Sequence, residues 1–470
     1  MAKSFSLFGV GLLLLAVAGC AIPPPTTTPP AAVCGFNPDL IELPLADETQ
    51  PDAGGPASDV QPRVFQSRIT EALATSAPPG TPRQPAILAL SGGSLHGAFG
   101  AGFLDGWRRA SPDQRLPEFD VVTGISTGSI LATFAFIGDT QRGVERYSIT
   151  RESELLTPIA RNRPDGSMSP LEIVRVLRHG AVADLSPLRA VLLEEVSPAV
   201  MAEVARRHAL GRKLYVGAVD VDNGQAMAFD LTAMATRYIG AAGAPVGAET
   251  PEQLALRTCY VNAIVASSSA PLAAVPVFID NRMYVDGGMR YGLFADDVIG
   301  AARVHDKTTG QQTRIYVIVN GDLETEPRCG KADPDLCSEL EPSGGTEGAH
   351  STWSLLNLAL RSEQVLVNQV YRFSADRLVG ERKLGNPVWF ARIRDDAQAH
   401  VFTLDDPVLG AGTRTCAQWH DLDEQTLHPI QFFPRYMHCL IDYGQQRGRA
   451  GDWNIAPPPE PSVAVPQPTP

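Results

Sequence analysis

The 470-residue sequence predicts an α/β fold, a mainly parallel sheet with helices on both faces. Three observations predict it. Ala86–Leu90 is an apolar run of strand length that leads through a glycine-rich turn into a helical pattern. Phe119–Thr123 does the same through Gly124-Ile125-Ser126-Thr127-Gly128. Further short apolar runs keep alternating with helical stretches down the chain. A strand that is apolar on both faces must be buried on both, which is the habit of parallel sheets covered by crossover helices.

The elements follow in order. The first helix is expected over 97–109, where Phe99, Phe103 and Trp107 recur every fourth residue and share one face. The second runs through Ile130 to Ile137. Lys213–Asp220 and Ala226–Phe229 read as strands about an Asp222-Asn223-Gly224 turn. Val261–Ser268 and Arg314–Val319 are further strand candidates. Beyond Gly321 the texture changes. A polar stretch, 322–350, holds Cys329 and Cys337 and reads either as a lid or as a packed surface loop. An amphipathic helix is expected from about Thr352 to Phe373, with Leu356, Leu360, Val367, Val370 and Tyr371 on one side. The remainder, to about Asn454, is read as irregular and richer in aromatics.

Composition narrows the function. The chain is 44% hydrophobic and 19% charged, with a mean hydropathy of −0.05, which excludes a polytopic membrane protein. It carries 39 basic and 52 acidic side chains, a formal charge of −13 and a pI near 5.2. Binding nucleic acid needs a basic face, so no nucleic-acid partner is expected. No feature sets an oligomeric state.

The two ends differ from the middle. Residues 1–19 hold one charge, Lys3, and an apolar centre at Leu12 to Leu15, the layout of a secretory signal. Val17-Ala18-Gly19-Cys20 resembles a bacterial lipobox. That resemblance implies cleavage before Cys20 and lipid on its sulfur and new amino group; the alternative is an ordinary signal peptide with an incidental cysteine. Several acyl chains would make a stable anchor. The expected location is the bacterial cell envelope, anchored by lipid, on the periplasmic face of the outer membrane. Residues 20–82 read as a Pro/Thr-rich tether, part of which, around Cys34 to Leu45, docks on the body. The expected divisions are then 83–321 for the catalytic domain, 322–455 for an extension packed on it, and 456–470 for a disordered Pro-rich tail. Six cysteines follow Cys20. They read either as disulfides, in any of fifteen full pairings, or as unpaired buried residues. Cys329 with Cys337, and Cys416 with Cys439, would close the shortest loops.

Three short motifs carry chemistry. Gly124-Ile125-Ser126-Thr127-Gly128 places a serine on a tight strand-to-helix turn, which holds its hydroxyl clear of the sheet. The helix N-terminus then favours negative charge beside it. Ser91-Gly92-Gly93-Ser94-Leu95-His96-Gly97-Ala98 is a second strand-to-helix turn whose backbone N–H groups can hold a phosphate or an oxyanion. It lacks the Lys-Ser/Thr of a P-loop, and Ser94 takes the middle glycine place of G-x-G-x-x-G. Asp286-Gly287-Gly288 alone is a turn signal. Beside a serine nucleophile, its carboxylate becomes a candidate base. The nine histidines show no ligand spacing of the H-x-x-x-H kind, so no metal site is expected.

As a set, Ser91-Gly92-Gly93, Gly97 to Gly102, Gly124-x-Ser126-x-Gly128 and Asp286-Gly287-Gly288 resemble the motifs of patatin-like phospholipases, in the same order. Ser267-Ser268-Ser269-Ala270-Pro271-Leu272 resembles the stretch before that family's Asp-Gly block. The resemblance covers about Ala86 to Gly321. It implies a three-layer α/β/α fold and a Ser–Asp dyad without a catalytic histidine. Ser126 would be the nucleophile and Asp286 the base, with Gly92, Gly93 and Ser94 amides as the oxyanion hole. Gly97, Gly124, Gly128, Gly287 and Gly288 would support them. Two residues depart from the family pattern. Ser94 stands where glycine is usual, and His96 where Arg or Lys is common. The implied reaction is two-step hydrolysis of a lipid ester, phospholipase A- or lysophospholipase-like, through an acyl-enzyme and without a cofactor. Its rivals are an esterase with a Ser-His-Asp triad, using His350, His400, His420 or His428, and an inactive lipoprotein scaffold of the same fold.

Overall fold

A central mixed sheet of nine strands organises the molecule. The structure, a computed structural model, describes residues 32–37, 39–40, 64–76, 83–160, 169–241, 249–321, 323, 355–382 and 387–456. The signal and Cys20, nearly all of 322–350 with Cys329 and Cys337, and the tail beyond 456 lie outside the described residues.

The sheet strands are β1 (Asp39–Leu40), β2 (Ala86–Leu90), β3 (Val121–Ile125), β4 (Lys213–Asp220), β5 (Gln225–Asp230), β6 (Val277–Ile279), β7 (Arg282–Asp286), β8 (Arg314–Val319) and β9 (Val388–Arg392). Their order is β1-β5-β4-β3-β2-β8-β9, with β7 on β4 and β6 on β7. The five strands from β4 to β9 in this order are parallel; β5, β1, β7 and β6 add antiparallel edges. Alternate residues of the central strands feed two separate cores. Ile87, Ala89, Ile315 and Val317 meet helices α1 (Val64–Ser76), α5 (Ala295–Thr309) and α6 (Leu355–Arg382). Leu88, Leu90 and Ile318 face the opposite core, with α2 (Gly97–Ala110), α3 (Thr127–Ile137) and α7 (Pro434–Ala450). The period of two along buried strands thus produces the three layers.

Four expectations change. Val261–Ser268 is the second half of a helix, α4 (Pro251–Ser267), not a strand. Thr250 caps it, with Gln253 completing the box and Pro251 in the first turn. Residues 259–267 are all buried, so the run is apolar on every side, and such a run has no helical period to read. The β3 strand sits two residues later than Phe119–Thr123. The helix expected to end at Phe373 continues to Arg382. The stretch read as irregular holds β9, a hairpin (Val401–Asp406 with Gly410–Thr415), a helix over Cys416–Leu427, and α7. The sheet therefore continues past Gly321, because β9 pairs in parallel with β8.

Among the described residues, two disulfides are formed. Cys416 pairs with Cys439, and Cys34 pairs with Cys259. The second draws residues 32–37 and 39–40 onto the body, where β1 adds to β5 and the Asp280 carboxylate accepts the N–H groups of Cys34, Gly35 and Phe36 at 2.6–2.9 Å.

Candidate active site

Strand pairing brings Ser126 and Asp286 together. Along one edge of β4, β3 pairs in parallel until Ile125 meets Gly217. At the next residue, Ala218, the antiparallel β7 takes over that edge with Asp286. The two strands meet end to end, so the residue after β3 faces the last residue of β7, 160 positions later in the chain.

Ser126 has φ 53° and ψ −126°, a strained conformation for a residue with a side chain. The surroundings hold it there. Its N–H donates to Ser267 Oγ at 2.9 Å, and that hydroxyl donates to the Gly217 carbonyl at 2.5 Å. Its carbonyl accepts from Ser129 Oγ at 2.6 Å and Ser268 Oγ at 3.2 Å. Ser269 supplies the carbonyl for the Asp286 N–H at 2.9 Å. The Ser267-Ser268-Ser269 run therefore clamps both sides of the pair. The flanking glycines are set by close approach: a Cβ at Gly124 would lie 2.4 Å from the Gly128 carbonyl oxygen, and one at Gly128 would lie 2.4 Å from that of Leu90.

The Asp286 carboxylate accepts the Gly288 N–H at 2.7 Å, and the Ser126 hydroxyl stands beside it as a second hydrogen-bonding influence. It is 6% exposed. Burial pushes its pKa up to about 7, against the lowering effect of those two hydrogen bonds; the Glu363 charge pushes it the same way as burial. A carboxylate with that pKa divides between its ionised and protonated forms near neutral pH, and its ionised form is basic enough to accept a proton.

The glycine-rich turn lies opposite. Gly93 has φ 148°, and a Cβ there would overlap the Asn320–Gly321 peptide at 2.4 Å. Ser94 also has positive φ, 52°, at a cost of order 1 kcal/mol for a non-glycine residue. Two bonds offset it: the Ser94 carbonyl accepts from Thr127 Oγ1, and its hydroxyl accepts from Gln431 Nε2, each at 2.7 Å. Gly93, Ser94 and His96 border the same cavity as Ser126 and Asp286. Gly92 is not on that surface. Its N–H faces the hydroxyl of Tyr371, which lines the cavity in its stead. Gly97 opens α2 against Tyr147 and Thr127, and Gly287 lies on the Gly217 carbonyl. The His96 ring packs edge-on to Tyr436 at 6.2 Å.

The cavity measures about 780 Å³, within the range of small-molecule sites. From Ser126 and Asp286 it extends along Leu155, Val182, Leu185, Leu188 and Leu192, a wall suited to an alkyl chain. Of the four histidines considered for a triad, His400 bonds Asp442 at 2.8 Å, His420 lines the cavity, His428 is exposed, and His350 is outside the described residues. Among the described residues, one group of possible metal ligands does exist: His420, Asp421 and Glu424 place ligand atoms within 4.8 Å of one another. Their spacing on one helix is not the paired-histidine pattern sought in the sequence. Both acids are exposed, and the His420 ring stacks on Phe433 at 4.2 Å.

Sequence reasoning placed Tyr371 on a helix face but not in the site, and it missed Glu363 and Gln431. All three come from beyond residue 350 and reach the site by packing, so no local motif could announce them.

Residues 88–299 match the family model described as patatin-like phospholipase. Among solved structures, VipD from Legionella pneumophila is similar at 13% identity, covering 56% of this chain and 53% of that one, with a TM-score of 0.27. Human GIVD cytosolic phospholipase A2 is similar at 11% identity, covering 88% and 65%, also with a TM-score of 0.27. The chain thus spans about half to two thirds of the length of these two proteins. No curated protein matches it. The serine turn, the glycine-rich turn and the Asp286 block all fall within residues 88–299, the span that matches the patatin-like phospholipase model.

Proposed function

We propose that the protein is a lipolytic serine acyl-hydrolase, phospholipase A- or lysophospholipase-like, in which Ser126 is the nucleophile and Asp286 its base. One observation carries the reading: Ser126 and the buried Asp286 carboxylate share one end of an apolar cavity, with the serine hydroxyl near enough to lower the carboxylate's pKa.

The chemistry follows. Asp286 takes the Ser126 proton as Oγ attacks the ester carbonyl. The C=O pair moves to oxygen, which the amides of Gly93 and Ser94 face. The intermediate collapses, the alcohol leaves with the proton from Asp286, and the acyl group remains on Ser126. Water then repeats the sequence and frees the acid. The alkyl wall supports a fatty acyl ester as substrate, and the helix start at Thr127 favours the developing negative charge. The lipobox-like Val17-Ala18-Gly19-Cys20 supports an extension of this reading. The enzyme is held by lipid on Cys20 at the periplasmic face of a bacterial outer membrane, beside its substrate.

The test is a fluorophosphonate label on the purified full chain. Wild type should label, Ser126→Ala should not, and Asp286→Asn should label at least about 10²-fold more slowly. Equal labelling of Ser126→Ala, or none of a folded wild type, would sink the proposal.

A further inference from the structure

The acyl-transfer site contains a side chain that none of its motifs supplies. Tyr371 comes from α6, beyond the matched span, yet only 5% of it is exposed and it lines the cavity with Ser126 and Asp286. A methyl group on Gly92 would stand 1.9 Å from the Tyr371 hydroxyl and 2.7 Å from Ser126 Cβ, so those two atoms are less than about 5 Å apart. From the other side, a methyl on Gly288 would stand 2.9 Å from the same hydroxyl and 3.1 Å from Asp286 Oδ1. The phenol oxygen therefore sits where the glycine turn, the nucleophile and the base converge. Glycines surround it: a Cβ at Gly292 would meet the Tyr371 Cα at 2.7 Å, and one at Gly321 would meet its ring at 3.2 Å. Four positions lack side chains around one tyrosine, so the ring has a fitted slot.

We propose that the Tyr371 hydroxyl is a catalytic donor to the oxyanion, standing between the Gly92 amide and the substrate carbonyl oxygen. This rests on the reading of Ser126 as an acyl-transfer nucleophile. The phenol oxygen lies against Gly92 and close to Ser126, and the adjoining space, into which its proton can point, is where the carbonyl must lie to be attacked by Ser126. When Oγ bonds to carbon, the C=O pair moves to oxygen and the Ser126 proton goes to Asp286. Tyr371 donates a hydrogen bond to that oxygen and keeps its proton. On collapse the pair returns and the alcohol departs with the proton from Asp286, leaving Tyr371 unchanged. Burial, with the charges of Asp286 and Glu363, holds the phenol well above its ordinary pKa, so it remains a donor at any working pH. It takes the place at the cavity surface that Gly92 does not occupy.

The experiment uses the full chain. Wild type and Tyr371→Phe are compared for kcat and KM on a soluble p-nitrophenyl ester. They are also compared for affinity toward an alkyl trifluoromethyl ketone, which forms an alkoxide on the serine. Thermal unfolding checks the fold. Loss of one oxyanion donor should lower kcat by about 10²-fold, leave KM within about 2-fold, and weaken the ketone by a similar 10²-fold. Replacement of Tyr371 by 3-fluorotyrosine, a stronger donor of nearly the same shape, should keep kcat at or above wild type. It decides the matter if the Phe variant fails to fold. Unchanged kcat in Tyr371→Phe overturns the proposal. So does a rise, which would make Tyr371 an obstruction to substrate, and so does a loss of kcat without a loss of ketone affinity. Fluorophosphonate labelling of wild type separates the two readings. If Ser126 labels and Tyr371→Phe behaves as wild type, only this proposal falls. If wild type does not label, both do.

Discussion

The stretch that carries the motifs and the stretch after residue 350 both rely on glycine, but for different ends. In the first, Gly93, Gly124 and Gly128 let single turns pass through spaces that a Cβ would fill, and the result is Ser126 held in a strained conformation. In the second, the glycines join helices. On α7, a Cβ at Gly444 would lie 2.3 Å from the Phe99 carbonyl oxygen, and one at Gly448 would lie 2.2 Å from that of Phe103. On α2, a Cβ at Gly102 would lie 2.1 Å from the Ile441 carbonyl oxygen, and one at Gly106 would lie 2.2 Å from that of Gln445. Two Gly-xxx-Gly faces thus bring the backbones of α2 and α7 into contact. One use of glycine shapes the Ser126 turn; the other seals the C-terminal stretch onto the helix that begins at the glycine-rich turn.

If that second use is right, breaking it should be the costliest change outside the site. Gly102→Val puts a branched side chain against the Ile441 backbone, which has no rotamer to yield. It should cost at least about 4 kcal/mol in urea unfolding. Gly240→Ala is the control: nothing lies within 4 Å of its would-be Cβ, so stability should hold or rise by up to about 1 kcal/mol. A Gly102→Val protein within about 0.5 kcal/mol of wild type would remove the distinction between the two regions.

The same contrast explains what the sequence made legible. The strand–turn–helix units at Ala86–Leu90 and at Ser126 were readable because their constraint is local: an apolar run, then a turn that only small residues can make. The partnership of Ser126 with Asp286 was readable only through family resemblance, because it depends on two strands sharing an edge of β4. Val261–Ser268 misled because a buried helix and a buried strand look alike over eight residues. Tyr371 was seen as one apolar position among five on a helix face. Its role depends on four distant glycines that leave room for it, and no periodicity records that. The Gly-xxx-Gly spacing of α2 and α7 stands in the sequence, yet it gains meaning only once the two helices are known to cross.

A second way to sharpen the comparison uses the disulfides. Cys416–Cys439 ties the helix over Cys416–Leu427 to α7 across 23 residues, within the C-terminal stretch. Replacing both by serine should cost about 3 kcal/mol by the chain-entropy argument. The loss should appear as faster proteolysis of residues 400–450, with the Ser126 turn still labelled by fluorophosphonate at low temperature. Equal loss of labelling and of the C-terminal fold would mean that the two regions unfold as one.

The finest test sets one buried aspartate from each region against the other. Asp423 is fully buried in the C-terminal stretch, but the Arg435 guanidinium donates to it at 2.8 Å, and the N–H groups of Arg435 and Tyr436 at 2.7 and 3.1 Å. Asp286 has the Gly288 N–H and the Ser126 hydroxyl, and the charge that acts on it is another acid, Glu363. Because its folded pKa is raised from 3.8 to about 7, the folded state keeps a proton that the unfolded chain has released across that window. Stability therefore falls as pH rises from about 4 to 7, and the full penalty is present above 7. Burial raises the Asp423 pKa as well, against the lowering by Arg435 and the two N–H groups, so the difference lies in the counter-charge: only Asp423 has a cation that its loss would strand, and the two substitutions should have opposite signs at pH 8. Asp423→Asn leaves Arg435 without its buried counter-charge and should lose about 3 kcal/mol. Asp286→Asn removes an uncompensated charge and should gain about 2 kcal/mol, roughly half of what the pKa shift converts to, since the amide is the weaker acceptor for Ser126. Below pH 4 that gain should vanish, whereas the wild-type kcat/KM, which needs ionised Asp286, should fall tenfold per pH unit below about 7. A loss of stability in Asp286→Asn at pH 8 would make Asp286 a structural carboxylate like Asp423, and would count against the base assigned to it.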